Sequence, residues 1–302
     1  MEQGGTSTTD LYALGEDCIA EILSHISPRD TCRLSVVSSK FQSAADSDSV
    51  WERFLPSDMQ LILSSSVSQS LPNFSSKKEQ FLYLCNNPLL IDDGSKIFTL
   101  EKCSGKKCFM IGAKELSIFT LGGDTTNWIS QSLPESRFSE VAELNIWREI
   151  RGKMETRLLS PNTTYVAYLV FKLTEYAFGF QYAPVLFSIK LGSGGGHLEE
   201  GQVKYVYLMT RRLTMADEHK SWRVIEEDED ILSEWRELLE SEAREKPEKR
   251  GDGWMEIKMG EFFNERGDNG EVEMSIKEVE DPYWGRNGFI IEGIEFRPKE
   301  NR

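Results

Sequence analysis

The chain has 302 residues, of which 39% are hydrophobic and 28% are charged, and its formal net charge is −15. This length suits one small and one larger globular domain. An acidic chain repels phosphate backbones, and no local basic patch offsets that repulsion, so nucleic acid is not expected as a partner.

The start of the chain and its cysteines indicate where the protein works. Residues 1–10 are polar, predict a disordered tail and lack the apolar core of a signal peptide. No apolar stretch approaches the ~20 residues that span a bilayer. We therefore expect a protein of the cytoplasm, the nucleus or both, without membrane contact, in which the five cysteines are reduced.

Residues 11–56 carry helical periodicity. Ser27-Pro28 ends one helix and opens the next. Apolar side chains recur at helical spacing in three groups, which are Ile19, Ile22, Leu23 and Ile26, then Leu34, Val37 and Phe41, and then Val50, Trp51 and Phe54. The pattern predicts three short helices.

This predicted unit carries more large apolar residues than three short helices can cover, although a unit of its size has a marginal core. The excess apolar surface is covered either by a partner protein or by the rest of the chain. The sequence pattern alone leaves both possibilities open.

The remainder of the chain changes from helical to extended patterns. Residues 57–94 are rich in serine and predict a linker with short helices, one of them around 81–85. From 95 to 298 short strands are predicted, beginning with a hairpin whose strands 97–101 and 108–111 flank Gly105. Further candidates are the runs 142–157 and 163–174, the pair 185–191 and 203–210, the alternating Val272, Met274 and Ile276, and one helix at 231–239. These elements predict an α+β multidomain chain, in which a small all-α unit of three helices precedes a β-sandwich or jelly roll.

Residues 11–56 resemble an F-box over its whole length. The matching pieces are Leu14-Gly15-Glu16-Asp17-Cys18-Ile19-Ala20-Glu21-Ile22-Leu23-Ser24-His25-Ile26-Ser27-Pro28-Arg29-Asp30, Val36-Val37-Ser38-Ser39-Lys40-Phe41 and Val50-Trp51-Glu52-Arg53-Phe54-Leu55-Pro56. F-boxes usually begin with Leu-Pro, and Gly15 stands here in place of the proline. The entry to the first helix is therefore less rigid, which is expected to weaken docking.

Residues 95–298 resemble the plant phloem-protein-2-like lectins, the family that includes the tobacco lectin Nictaba. The matching pieces are Ala113-Lys114-Glu115-Leu116-Ser117-Ile118, Ile150-Arg151-Gly152-Lys153-Met154-Glu155-Thr156, the run 165–173, Asp252-Gly253-Trp254-Met255-Glu256-Ile257-Lys258-Met259-Gly260-Glu261-Phe262-Phe263-Asn264 and Gly293-Ile294-Glu295-Phe296-Arg297-Pro298. Together the two resemblances indicate a plant F-box protein of the phloem-protein-2 B type, with a β-sandwich lectin-like domain at 95–298.

The F-box resemblance implies a Skp-type adaptor and, through it, a cullin as partners. The chain would then be the substrate-recognition subunit of an SCF-type (Skp-cullin-F-box) ubiquitin ligase, without catalytic residues, metal site or cofactor of its own. Its protein or glycoprotein target is not written in the sequence. The implied adaptor contacts are Leu14, Ile19, Ile22, Leu23, Leu34, Val37, Phe41, Val50, Trp51 and Phe54, some of which must instead form the core of the unit.

The lectin resemblance implies binding of N-acetylglucosamine oligomers or N-glycans. Family lectins usually carry several tryptophans shortly after the Leu116-Ser117-Ile118 strand, whereas Phe119 and Trp128 are the aromatic residues there in this chain. Trp128 is the candidate carbohydrate-binding platform, and the alternative is an ordinary core or loop aromatic. A nucleocytoplasmic carbohydrate-binding lectin without a ligase role is the alternative function.

Overall fold

The computed structural model describes residues 14–67, 72–119, 128–145, 147–180, 184–192, 202–209, 245–265, 270–279 and 286–300. They fall into two compact units. The helical unit takes the described part of 1–91 together with 98–107, and the β unit takes the described part of 92–97 and 108–302. A helical part followed by an antiparallel β part confirms the predicted α+β class.

Six helices lie among the described residues of the helical unit. They are α1 (Glu16–Ser24), α2 (Pro28–Leu34), α3 (Ser39–Asp46), α4 (Asp48–Phe54), α5 (Met59–Ser64) and α6 (Lys77–Asn86). Serine side chains cap three of them, because Ser27, Ser38 and Ser76 each accept a backbone N–H in the first turn of α2, α3 and α6. Such caps satisfy N–H groups that the start of a helix leaves without an intrahelical partner.

The middle helix of the predicted three is divided in two. Periodicity extended one helix from Pro28 to Phe41, but α2 ends at Leu34 and α3 begins at Ser39. Two β-branched valines at 36 and 37 disfavour continuation of α2, and the Ser38 hydroxyl accepts the Phe41 N–H and so starts a new helix.

Trp51 lies in the core of the helical unit. Its indole N–H donates to the Ala45 carbonyl at 2.6 Å, and its ring centroid lies 5.5 Å from that of Phe54 and 5.2 Å from that of Phe81. Phe81 belongs to α6, in the segment predicted as a linker. That segment therefore contributes core side chains to the helical unit.

The described strands are β1 (Leu89–Ile91), β2 (Lys96–Leu100), β3 (Lys107–Gly112), β4 (Ser117–Phe119), β5 (Ile129–Gln131), β6 (Val141–Leu144), β7 (Glu149–Glu155), β8 (Thr163–Phe178), β9 (Val185–Gly192), β10 (Gln202–Val206), β11 (Glu248–Lys249), β12 (Met255–Asn264), β13 (Glu271–Glu278) and β14 (Asn287–Pro298). The larger sheet has the order β1-β2-β3-β14-β8-β12-β11, with β6 paired to β14 and β5 paired to β6. The smaller sheet has the order β10-β9-β13-β7-β4. The described pairings among β3–β14 are antiparallel.

The hairpin predicted around Gly105 is present, and its tip belongs to the helical unit. Gly105 has a φ of +72°, and a Cβ added there would lie 3.1 Å from the Phe54 carbonyl oxygen and 3.4 Å from the Phe81 ring. The Arg29 N–H donates to the Cys103 carbonyl at 3.3 Å. The tip is thus held between α2, α4 and α6.

The two sheets of the β unit pack face to face. Gly152 of β7 approaches the larger sheet so closely that an added Cβ would lie 3.0 Å from the side chains of both Ile111 and Ile294. In β13 the alternating Val272, Met274 and Ile276 are fully buried, which agrees with their predicted period of two. The sandwich core lies between these faces.

The extended run predicted at 142–157 is two strands in different sheets. β6 ends at Leu144 in the larger sheet and β7 begins at Glu149 in the smaller one. Between them Trp147 is buried and stacks on Phe289 at 5.7 Å. The chain changes sheets at this corner, where the Trp147 side chain enters the core.

Two predicted segments, the tail at 1–10 and the helix at 231–239, lie outside the described residues. Within the described part of the chain, no helix is long and apolar enough to cross a membrane.

Candidate functional site

The structure sorts the ten apolar residues expected at an adaptor interface by exposure. Ile19, Leu23, Val50, Trp51 and Phe54 are buried in the core of the helical unit. Leu14, Leu34 and Phe41 are half-buried, whereas Ile22 is 47% exposed and Val37 is 53% exposed. The half-buried and exposed residues can touch a partner directly. The buried residues support that surface from within the helical unit. Contact with an adaptor stays a prediction for all ten.

Helix α1 holds Ile22 at the edge of its buried face. Ile19 and Leu23 are fully buried, so the inner stripe of the helix runs through them and leaves Ile22 beside it. Val37 and its neighbour Val36, which is 85% exposed, lie in the connection between α2 and α3, where no helical face buries them. Val36 escaped the residue predictions because it does not fit the helical spacing.

Charged side chains lie next to Ile22. The exposed Glu21 carboxylate accepts a hydrogen bond from Arg53 at 3.1 Å and lies 3.0 Å from the His25 ring nitrogen. Protein interfaces commonly surround an apolar centre with such a polar rim. The arrangement can therefore bind a protein surface through Ile22 and orient it through Glu21 and Arg53.

The two aromatic residues of the expected sugar site lie in different sheets. Phe119 ends β4 in the smaller sheet, where the Arg151 guanidinium lies 5.0 Å from its ring centroid. Trp128 is half-buried and directly precedes β5 in the larger sheet. Residues 120–127, which join them, lie outside the described residues. Sugar binding by Trp128 stays a prediction.

Sequence reasoning missed the Glu143 cluster, in which the Glu143 carboxylate meets the side chains of Tyr176 and Gln131. Glu143 of β6 is 5% exposed, and its carboxylate accepts a hydrogen bond from the Tyr176 hydroxyl at 2.8 Å and another from the Gln131 amide. Ile129, directly opposite Glu143 in the sheet, is 54% exposed. The signal that could have found this cluster is Glu143 itself, an acidic residue within an otherwise apolar strand.

Charge pairs also cover the outside of the larger sheet. The fully buried Glu292 accepts the Arg137 backbone N–H at 2.7 Å and its guanidinium at 3.0 Å. Burial alone would raise the pKa of the Glu295 carboxyl, but Arg137, Arg297 and Arg250 outweigh burial and hold that pKa below its usual value. These pairs fix the segment before β6 onto the sheet.

The half-buried Cys85 and the buried Tyr165 have raised pKa values and are held in their neutral forms. Burial raises the pKa of the Cys85 thiol to about 12, with a further contribution from Glu101. Burial likewise raises the pKa of Tyr165 to about 12 against a 2.9 Å hydrogen bond from the Ser160 N–H. Within the part of the chain that the structure describes, no group of three His, Cys, Asp or Glu side chains is placed to hold a metal ion.

Comparison with known families identifies both units. The F-box domain matches residues 11–53, and phloem protein 2 matches residues 106–298. The chain is an F-box protein of the phloem protein 2 family. Ile22, Val36 and Val37 thus lie in the F-box, and Trp128 and the Glu143 cluster lie in the phloem protein 2 domain.

Similar proteins of Arabidopsis thaliana share both parts. F-box protein At2g02240 is 42% identical over 99% of this chain and 82% of its own length. Putative F-box protein PP2-B2 is 41% identical over 95% of this chain and 83% of its own length. The similarity covers the F-box and the phloem protein 2 domain together.

Proposed function

We propose that this F-box protein is the substrate-recognition subunit of an SCF-type ubiquitin ligase. Its F-box docks on a Skp-type adaptor, and through it on a cullin, while the phloem protein 2 domain recruits a protein or glycoprotein target. Other subunits carry out ubiquitin transfer, and the complex works in the cytoplasm, the nucleus or both. The observation that carries this proposal is the F-box match at residues 11–53, whose surface exposes Ile22, Val36 and Val37.

The exposure pattern fits a docking surface because binding energy in protein interfaces concentrates at a few apolar side chains that become desolvated in the complex. The core beneath is rigid, since Trp51 is hydrogen-bonded and in contact with two phenylalanine rings. A rigid support reduces the entropy that docking would cost.

A binding titration of the full chain with a purified Skp-type adaptor tests the proposal. Ile22→Asp places a carboxylate on the docking surface, where desolvation opposes binding. We expect this variant to bind at least about tenfold more weakly than the native chain. Val37→Asp is expected to act in the same direction.

Leu61→Asp is the matched control, because Leu61 is 72% exposed on α5, outside the F-box match. It should bind the adaptor as the native chain does, and thermal unfolding should show all variants folded. The proposal fails if the native chain does not bind, or if Ile22→Asp and Val37→Asp both bind as tightly as Leu61→Asp. Leu23 is unsuitable for this test because it is fully buried and its substitution would unfold the unit.

One observation favours the alternative of a carbohydrate-binding lectin. Trp128 keeps part of its surface accessible beside the exposed Ile129. A partly exposed aromatic ring is a suitable platform for a sugar. Under this alternative, Trp128→Ala abolishes binding of an N-acetylglucosamine oligomer measured by calorimetry, and unchanged binding removes Trp128 as the platform.

A further inference from the structure

Glu143 is a buried carboxylate whose described hydrogen-bond partners are both uncharged. It is 5% exposed, and its two donors are the hydroxyl of Tyr176 and the side-chain amide of Gln131. No described residue offers it an ammonium or guanidinium group. A carboxylate can accept about four hydrogen bonds, so Glu143 retains acceptor capacity.

Apolar side chains surround this carboxylate on the outer face of the sheet. Ile129 on β5 and Ile290 on β14 are its direct cross-strand neighbours. Ile290 is buried, whereas Ile129 is 54% exposed and Tyr176 is 64% exposed. Removing a carboxylate from water is costly unless a charged partner compensates it. The exposed ring and the exposed isoleucine lie where such a partner would enter.

The rest of the molecule shows what completes an arrangement of this kind. Each cation that lies over an aromatic ring among the described residues is also paired with a carboxylate. The sets are Lys78 with Trp51 and Asp46, Arg151 with Phe119 and Glu149, Lys172 with Trp254 and Glu135, Arg286 with Phe180 and Glu278, and Arg297 with Tyr168 and Glu256.

The Arg297 set is the most direct template, because it contains a tyrosine on the same sheet. Its guanidinium lies 3.8 Å from the Tyr168 ring centroid and 2.7 Å from the Glu256 carboxylate. At Glu143 and Tyr176 the carboxylate and the aromatic ring are present, and the described residues supply no cation.

We propose that Glu143 and Tyr176 form a pocket for a basic side chain of the target protein, with arginine preferred over lysine. This rests on the proposed function and adds to it the chemistry of the recruited target. A guanidinium would pair with the Glu143 carboxylate while its plane stacks on the Tyr176 ring. The methylene stem of the incoming side chain would lie on Ile129.

Access to Glu143 depends on Tyr176. Because this side chain is largely exposed, it can change rotamer rapidly and let a guanidinium reach the carboxylate. The net charge of −15 on the whole chain adds an attraction for basic segments that is not specific to the pocket. Variants that alter charge must therefore be compared at equal net charge.

The test uses the full chain and two short capped peptides of glycine and serine, one with a central arginine and one with the uncharged isostere citrulline. Ligand-observed NMR titrations measure the apparent Kd of each. We expect the arginine peptide to bind at least about tenfold more tightly than the citrulline peptide, as for a charge-assisted hydrogen bond. Glu143→Gln should abolish that preference.

Glu140→Gln is the matched control. It removes one negative charge, as Glu143→Gln does, at a position three residues before Glu143, and Glu140 belongs to an exposed ion pair with Lys114. It should keep the arginine preference. Tyr176→Ala, at an exposed position that leaves the core intact, should weaken arginine binding, whereas Tyr176→Phe should preserve it because the ring remains.

Three results overturn the proposal. They are equal binding of the two peptides, equal effects of Glu143→Gln and Glu140→Gln, and Glu143-dependent binding of an N-acetylglucosamine trimer without binding of the arginine peptide, which would mark a sugar site. The Skp-type adaptor is titrated in parallel. If the chain binds the adaptor and any of these three results is found, the pocket is contradicted and the proposed function is not. If the native chain does not bind the adaptor, the proposed function is contradicted.

Discussion

Ile19, Ile22 and Leu23 belong to one helical stripe in the sequence, yet the structure buries the first and the third and leaves Ile22 47% exposed. Periodicity locates the apolar side of a helix. It does not show which of its members the chain itself covers, because the stripe of a short helix in a small unit is wider than the core available. The apolar stripe was therefore predictable, and its division into core and surface was not.

Asn264 shows a second limit at the residue scale. Its buried amide donates to the Thr156 carbonyl at 3.1 Å and to the Ser160 carbonyl at 3.0 Å, which joins the end of β12 to the turn after β7. These partners are more than a hundred residues away in the chain. No local pattern predicts such a contact, and the sequence motif shows only that an asparagine follows Phe262-Phe263.

Glu295 gives a prediction on acid stability. The pKa of the folded Glu295 carboxyl is held below its usual value by three arginines that outweigh its burial. A carboxyl with a lowered folded pKa contributes stability that is fully present above its unfolded pKa and is lost as the pH falls through the folded value. Between about pH 5 and about pH 2, the native melting temperature should fall more steeply than that of Glu295→Gln.

Thermal unfolding across this pH range measures the difference. Glu271→Gln is the control, because Glu271 forms an exposed pair with Lys153, and its curve should parallel that of the native chain. Parallel curves for the native chain and Glu295→Gln would show that the Glu295 pairs do not contribute to stability.

At the scale of elements, the β2–β3 hairpin was predicted from its strands and its Gly105 turn, but the position of its tip was not. The tip contacts α2, α4 and α6 through Gly105 and the Arg29–Cys103 hydrogen bond. The residues of a turn can be predicted from the local sequence. The packing of the hairpin tip against the helices depends on a surface formed by residues distant in the chain. The linker prediction for 57–94 failed to foresee the core role of Phe81 for the same reason.

Gly105→Ala should destabilise the helical unit. The substitution forces an L-residue to a φ of +72° and brings its Cβ to 3.1 Å from the Phe54 carbonyl oxygen. We expect a loss of about 1–2 kcal/mol from backbone conformation alone. Urea unfolding followed by tryptophan fluorescence measures it, since Trp51 lies in the same core.

The matched control is Gly251→Ala, where an added Cβ meets nothing within 4 Å and φ is not positive. It should be neutral within about 0.5 kcal/mol, as for most surface substitutions. Equal unfolding midpoints for the two variants would show that the hairpin tip does not need a glycine.

At the scale of the whole molecule, the change from helical to strand periodicity predicted two parts in the right order. Strand positions such as β9 and β13 were also predicted, because alternation is local. The sheet order was not, since β8 pairs with both β12 and β14, more than eighty residues further along the chain. The corner at Trp147, where one predicted run becomes two strands, depends on the same non-local packing.

The central claim is that this chain docks on a Skp-type adaptor through its F-box and leaves the phloem protein 2 domain available for a target. Amide hydrogen exchange of the full chain with and without a Skp-type adaptor tests it most directly. The account predicts added protection at the end of α1 around Ile22 and in the connection that carries Val36 and Val37, with unchanged exchange in β5–β14. Protection confined to those strands, or no protection anywhere at saturating adaptor, would contradict it.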